Sequence, residues 1–168
     1  LTQPAPRVEA LAARLRGLGH DALVLGLSRI VERTNDPALS DAVDRLAQYD
    51  WVILVSPGAA HAAARLVPDW PARTGVAVVG PGSRAALSEA GFRQAPSRVL
   101  SPDSPPFDGE ALAALRPLDA PMGLRVLVLR GESGSDTWIE GLRTRGARVD
   151  VVAGYRHETR EPSAEALA

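Results

Sequence analysis

The sequence predicts an α/β fold, a doubly wound parallel sheet with helices on both faces, and three observations predict it. Residues 51–55, 75–79, 124–129 and 148–153 are mostly apolar runs of strand length. Trp51-Val52-Ile53-Leu54-Val55 has no polar position and suits a strand buried on both sides of a parallel sheet. Segments with helical spacing, about ten residues long, lie between the runs, as in α/β proteins. Three of the runs also end in turns of small residues: Ser56-Pro57-Gly58, Gly80-Pro81-Gly82-Ser83 and Gly131-Glu132-Ser133-Gly134-Ser135.

Taken in order, Val8, Leu11, Ala12, Leu15 and Leu18 recur at helical spacing between Pro4 and Leu18, and Gly19 supplies a stop. Ala22-Leu23-Val24-Leu25 reads as a short buried strand, and Ile30 and Val31 extend the chain until Thr34-Asn35-Asp36-Pro37 breaks it at a linker or domain crossing. Residues 38–48 read as a helix with Leu39, Val43 and Leu46 on one face. The run 51–55 leads into an Ala-rich helix from Ala59 to Leu66, and 75–79 into a helix that reaches Ala90 before Gly91. After Pro-rich 101–106, Asp108 is placed to cap a helix through Leu115. The run 124–129 precedes a helix that reaches Arg145 before Gly146, and 148–153 closes the series.

Composition narrows the chemistry. With 45% hydrophobic residues in 168, the chain can bury a core of one domain and part of another. Nineteen basic residues against twenty acidic leave a net charge of −1, with no basic block to hold nucleic acid. The absence of Cys excludes disulfides, thiolate nucleophiles and Cys-ligated metals, and fits a reducing, intracellular compartment. All nineteen basic residues are Arg, which removes Schiff-base lysines and Walker-type loops. Met122 is the only methionine, so a natural start is expected upstream of Leu1. No basic segment with an apolar run follows at the start, and no apolar run approaches the ~18 residues of a membrane span, so neither signal peptide nor membrane is expected.

In doubly wound sheets ligands sit beyond the carboxyl ends of the strands, where helix N-termini offer free N–H groups. Three Gly/Ser/Pro turns on one edge suit a multiply charged anion. The alternative is that short βα turns are rich in these residues whatever they bind. Gly80-Pro81-Gly82-Ser83-Arg84-Ala85 also fits the dinucleotide pattern G-x-G-x-x-[GA], with Asp103 as its nearest acidic partner, a motif of little specificity by itself. His20, His61 and His157 show no metal-ligand spacing, and Asp108 and Glu110 point to different helix faces. Tyr155, at the end of the last strand, is a candidate proton donor or a packing residue at the rim.

The order of segments adds a resemblance. Tyr49-Asp50-Trp51-Val52-Ile53-Leu54-Val55-Ser56-Pro57-Gly58-Ala59-Ala60 followed by Val78-Val79-Gly80-Pro81-Gly82-Ser83 resembles the uroporphyrinogen-III synthase family. Phe107-Asp108-Gly109-Glu110-Ala111-Leu112, Val128-Leu129-Arg130-Gly131 and Gly146-Ala147-Arg148-Val149 are similar to its later blocks in order and spacing, and Tyr155 falls where the family carries a tyrosine. The resemblance runs from Thr2-Gln3-Pro4 over essentially the whole chain. The chain departs from the pattern at Gln3 and Ser135, where relatives commonly have Arg, and at Gly109, where Ser is usual.

The resemblance implies a two-domain architecture with one domain incomplete. Residues 1–30 would be the first piece of domain one, 31–34 a linker, 35–152 a complete domain two, 153–162 a return linker and 163–168 the start of the returning part. It implies cyclisation of hydroxymethylbilane with inversion of ring D and loss of water, in the cytoplasm and without metal or organic cofactor. The substrate carries eight carboxylates, the kind of ligand the small-residue turns with Pro57, Gly58, Gly80 and Gly82 suit; the resemblance places Ser56, Ser83 and Tyr155 at cleft positions and Arg130-Gly131 at a cleft loop, with Tyr155 assisting departure of the hydroxyl. It further implies a monomer in transient contact with the preceding pathway enzyme. The competing class is a non-catalytic, two-lobed α/β module that grips an anionic small molecule. A nucleotide-dependent enzyme is a third, resting on the glycine motif.

Overall fold

Apolar runs such as Trp51-Val52-Ile53-Leu54 leave the chain no solvent-facing side, so they form strands only where helices cover both faces. In a computed structural model that describes residues 7–25, 27–33, 35–159 and 161, they do so. Helix α1 spans Arg7–Gly17, β1 Ser28–Glu32, α2 Pro37–Asp44, β2 Trp51–Leu54, α3 Pro57–Leu66, β3 Gly75–Val78 and α4 Pro81–Glu89. Strand β4 is Val99–Leu100, α5 Gly109–Ala113, β5 Arg125–Gly131, α6 Thr137–Thr144 and β6 Arg148–Thr159.

The six strands form one sheet in the order β1-β6-β5-β2-β3-β4, and every pair from β6 to β4 is parallel. Helices α2, α3 and α4 cover one face, where Leu39, Ala42, Ala59, Ala63 and Ala86 pack on Val52, Leu54, Val76 and Leu129. Helices α5 and α6 cover the other, where Leu112, Ile139 and Leu142 pack on Ile53, Val126 and Val128. The predicted strands thus share one parallel sheet, and their carboxyl ends, with all three small-residue turns, lie on one edge.

The chain divides into two compact units, Glu32–Tyr155 and a second comprising Leu1–Val31 and Arg156–Ala168. In the second, α1 buries Val8 and Ala12, while Leu18 lies past its end and is 73% exposed. Gly19, at φ +81°, closes the helix: its N–H donates to Arg16 O at 3.0 Å and His20 N–H to Leu15 O at 3.0 Å. Glu158 accepts from Arg29 at 2.6 Å and from Arg156 at 2.6 Å, and these bonds, that of Arg156 foremost, hold its carboxyl below the usual range.

Several expectations are corrected. Residues 22–25 are not among the six strands, and Leu23 is 60% exposed. An apolar run of four is a strand only where it joins a ladder, and composition does not fix that. The helix expected over 38–48 ends at Asp44 and gives way to a 3₁₀ turn, Leu46–Gln48. Strand β4, unforeseen, adds a two-residue edge beside Val76 and Ala77. Strand β6 extends beyond the expected 148–153 to Thr159, which leaves the expectation of a return linker over 153–162 standing, since a linker of the resembled family is expected to be stranded. Gln3 and residues 163–168 lie outside the described residues.

Asp36 and Pro37 show why the break before α2 is sharp. Asp36 caps the helix by accepting from Ala38 N–H at 2.9 Å, Pro37 occupies the first turn, and Arg33 pairs with Asp36 at 2.6 Å. The Arg33 hydrogen bond, then the Ala38 N–H, hold the Asp36 carboxyl below its ordinary 3.8. A lowered pKa stabilises the fold in full above that ordinary value, and the contribution is lost as pH falls through the lowered one. In urea titrations Asp36→Asn should therefore be less stable than the parent at neutral pH and converge with it in acid. A constant gap across that window would refute the charge contribution.

Candidate functional site

Strand order locates the site. The chain steps outward from β2 to β3 to β4 with α3 and α4 on one face, then returns to place β5 on the other side of β2 and continues to β6 with α6 on the opposite face. The reversal falls between β2 and β5, and in open α/β sheets the ligand crevice lies past the carboxyl ends of the strands at such a point.

After β2, Ser56 takes an extended conformation, and its Oγ accepts from Ala59 N–H at 3.1 Å, capping α3. Pro57 follows in the first turn, where its missing N–H costs no bond. Pro57 and Gly58 are half-buried. After β3, Gly80 is the N-cap of α4, Pro81 begins it, and Ser83 is 2% exposed in its first turn. The two N-termini are neighbours: a Cβ on Gly82 would lie 3.9 Å from Pro57 Cγ. Neither first turn contains an acidic residue, so both present partial positive charge undiminished.

Across the reversal stands Tyr155. Its hydroxyl lies 2.7 Å from Ser56 Oγ, 99 residues away in sequence, and the ring is 7% exposed. To reach Ser56 from β6 it crosses the end of β5 over Gly131, where a Cβ would come within 2.8 Å of Tyr155 Cε2. Either oxygen of the pair can be the donor, and Ser56 Oγ also accepts from Ala59 N–H, so the two hydroxyls and the first turn of α3 form one connected hydrogen-bond chain.

Other predicted residues are placed differently. Gly80 is filled from outside: a Cβ there would be 2.8 Å from Phe107 Cβ, so the glycine accommodates an aromatic side chain. The dinucleotide motif it opens follows β3, one strand away from the reversal, and Asp103 is exposed past β4. Arg130 is turned under its own loop, pairing with Asp136 at 2.6 Å and approaching Ser135 O at 3.5 Å. Gly109, at the start of α5, abuts the Trp138 indole, to which a Cβ would come within 2.5 Å. Glu132 N–H donates to Tyr155 O at 3.1 Å, and its carboxylate pairs with Arg33. Among the described residues no group of three or more His, Cys, Asp or Glu is placed to hold a metal. At the opposite edge, Tyr49 donates to Asp150 at 2.5 Å, and burial, then that carboxylate, push its phenol up to about 12.

Phe107, Trp138, Gly154 and Arg33 were not singled out from sequence. Only Gly154 left a signal, a glycine inside an apolar strand, which marks a bulge or a close approach.

Fold and edge together define a doubly wound α/β protein with helix N-termini and the Tyr155–Ser56 pair gathered at the switch point of its sheet. The chain belongs to the uroporphyrinogen-III synthase HemD family, whose sequence model matches residues 9–168. It is 34% identical over 163 residues to the uroporphyrinogen-III synthase of Salmonella typhimurium, covering 93% of this chain and 63% of that protein. The Escherichia coli uroporphyrinogen-III synthase is 29% identical over 160 residues, with 93% and 63% covered. The chain thus spans less than two thirds of these curated relatives. Among solved structures, a mutant uroporphyrinogen III synthase from Thermus thermophilus superposes with a TM-score of 0.58 at 23% identity, covering 96% of this chain and 62% of that one. The Helicobacter pylori uroporphyrinogen-III synthetase gives 0.52 at 12%, covering 84% and 58%. These two likenesses are of fold.

Proposed function

We propose that the protein containing this chain is a uroporphyrinogen-III synthase of tetrapyrrole (haem) biosynthesis, which cyclises hydroxymethylbilane with inversion of ring D and loss of water. The observation that carries the reading is the Tyr155–Ser56 hydroxyl pair at the sheet reversal, beside two adjacent helix N-termini free of acidic residues. The N–H groups around Pro57, Gly58, Gly82 and Ser83 receive substrate carboxylates. An anion at one exposed helix N-terminus gains about 0.3–1 kcal/mol, so a substrate with eight carboxylates is held by several such contacts rather than one. Tyr155, hydrogen-bonded to Ser56, donates to the departing hydroxyl. Holding the reactive chain in a folded pose supplies most of the remaining acceleration. Arg130 serves through its loop, since Asp136 already occupies its guanidinium.

In this reading Glu32–Tyr155 forms one domain and residues 1–31 with 156–168 belong to the other. The protein works in the cytoplasm as a monomer and meets the preceding pathway enzyme transiently. Among the described residues no helix is long and apolar enough to cross a membrane.

The test is conversion of hydroxymethylbilane by the full-length protein to the type III isomer, against the uncatalysed type I. Tyr155→Phe should slow type III formation by roughly 10²-fold, the lower end for loss of a general acid. Its stability should fall by only about 0.5–1.5 kcal/mol, one hydrogen bond. Unchanged turnover would assign Tyr155 to packing. Binding of the bilane without type III product would assign the protein to non-catalytic anion binding.

A further inference from the structure

We propose that Gly154 and Gly131 are positioning residues that aim Tyr155: a one-residue bulge at Gly154 turns the phenol onto the α3 face, and the bare Cα of Gly131 lets it lie across β5 to Ser56. The functional consequence rests on the reading of Tyr155 as the proton donor; the geometry does not.

Side chains on a strand alternate between faces. On β6, Val149 packs in the core beneath α5 and α6, and Val152 in the core beneath α3 and α4. Unbroken alternation from these two would send residue 154 to the α3 side and Tyr155 to the α6 side, away from Ser56. Tyr155 instead packs in the same core as Val152. The register explains the reversal: Arg130 stands opposite Ala153 and Gly131 opposite Tyr155, which leaves Gly154 as an extra residue with no opposite number. Such a bulge re-aims the side chain that follows it, and bulges gather beside active sites.

Both positions are crowded enough to require glycine. A Cβ on Gly154 would stand 2.9 Å from Leu129 Cδ1, and one on Gly131 2.8 Å from Tyr155 Cε2. Carbon atoms pack at about 3.5–4.0 Å. The bulge is also fixed from outside its own ladder: Arg33 N–H donates to Gly154 O at 3.0 Å and Glu132 N–H to Tyr155 O at 3.1 Å. Ser56, held by Ala59 N–H, then sets the end point of the phenol.

Two measurements on the full-length protein test this. Denaturation midpoints of Ser56→Ala, Tyr155→Phe and the double variant should show coupling in the parent and simple additivity when Gly131→Ala is present, because the displaced ring no longer reaches Ser56. In turnover, Gly131→Ala should lose kcat to the level of Tyr155→Phe with KM nearly unchanged, and adding Tyr155→Phe should then cost nothing more. Gly154→Ala should behave likewise and recover when Leu129→Val removes the colliding methyl; it replaces Gly131→Ala in both measurements if that variant does not fold. Coupling that survives Gly131→Ala, or a kcat near the parent's in a background where Tyr155→Phe is slow, overturns the proposal. If coupling vanishes as expected but Tyr155→Phe itself turns over normally, the aiming is upheld and the catalytic reading of Tyr155 is overturned.

Discussion

Trp70→Ala is expected to remove about 3–5 kcal/mol, the usual cost of truncating a buried indole. Domains typically have about 5–15 kcal/mol in all, so the loss should bring much of the population to the edge of unfolding. Trp70 is 2% exposed, meets the Phe92 ring edge-on at 5.7 Å, and donates its Nε1–H to Thr74 O at 2.8 Å. Thr74 in turn donates to Leu46 O at 3.2 Å and Tyr49 O at 3.0 Å, so the indole anchors the turn that leads into β3 and, through it, the approach to β2. Trp70→Phe should lose less, retaining much of the buried area while leaving the carbonyl without its donor. Urea midpoints for the two variants check the ordering, and equal losses would show that the hydrogen bond outweighs the volume.

Gly109→Ser is the second large effect. It introduces the residue usual in the resembled family, yet a Cβ there would come within 2.5 Å of the Trp138 indole, itself 8% exposed. Crowding of this kind costs about 1–3 kcal/mol, and a rigid ring between packed helices places the cost at the upper end. Asp108 still caps α5 through Ala111 N–H at 2.8 Å, so the damage is local to the α5–α6 contact. Trp138→Leu vacates the space, so Gly109→Ser combined with Trp138→Leu should be more stable than the sum of the single losses predicts. Strict additivity in thermal or urea unfolding would separate the two positions and leave this glycine unexplained.

The elements legible in the sequence were those whose signal is local. Trp51–Leu54 announced itself by having no polar position, Ser56-Pro57 by the chemistry of a helix start, and Gly19, Gly91 and Gly146 by the positive φ a helix stop requires. Asp108 was read as a cap and is one. What failed to show was anything that depends on a distant partner. Ala22–Leu25 has a strand's composition and is not one of the six strands, and Val99–Leu100 is a strand because β3 lies beside it. The residues of the candidate site were nominated singly, but nothing in the spacing of Ser56 and Tyr155 says that their oxygens meet. That contact needs the strand order, the bulge and a missing Cβ at Gly131 together. Gly80 and Arg130 illustrate the converse, since residue type suited ligand contact and the neighbours Phe107 and Asp136 had already taken the space and the charge.

The strand order also governs when the unit can exist during synthesis. Strands β2 and β3 are close in sequence, but the other side of β2 is filled only when residues 125–131 have left the ribosome. Until then a nascent chain shows an open apolar edge, the kind of surface that invites pairing with other chains. The hydroxyl pair forms later still, after residue 155 follows. The Tyr155–Ser56 pair is therefore among the last features of the unit to form, and a chain halted halfway holds the N-termini of α3 and α4 without Gly131 or Tyr155.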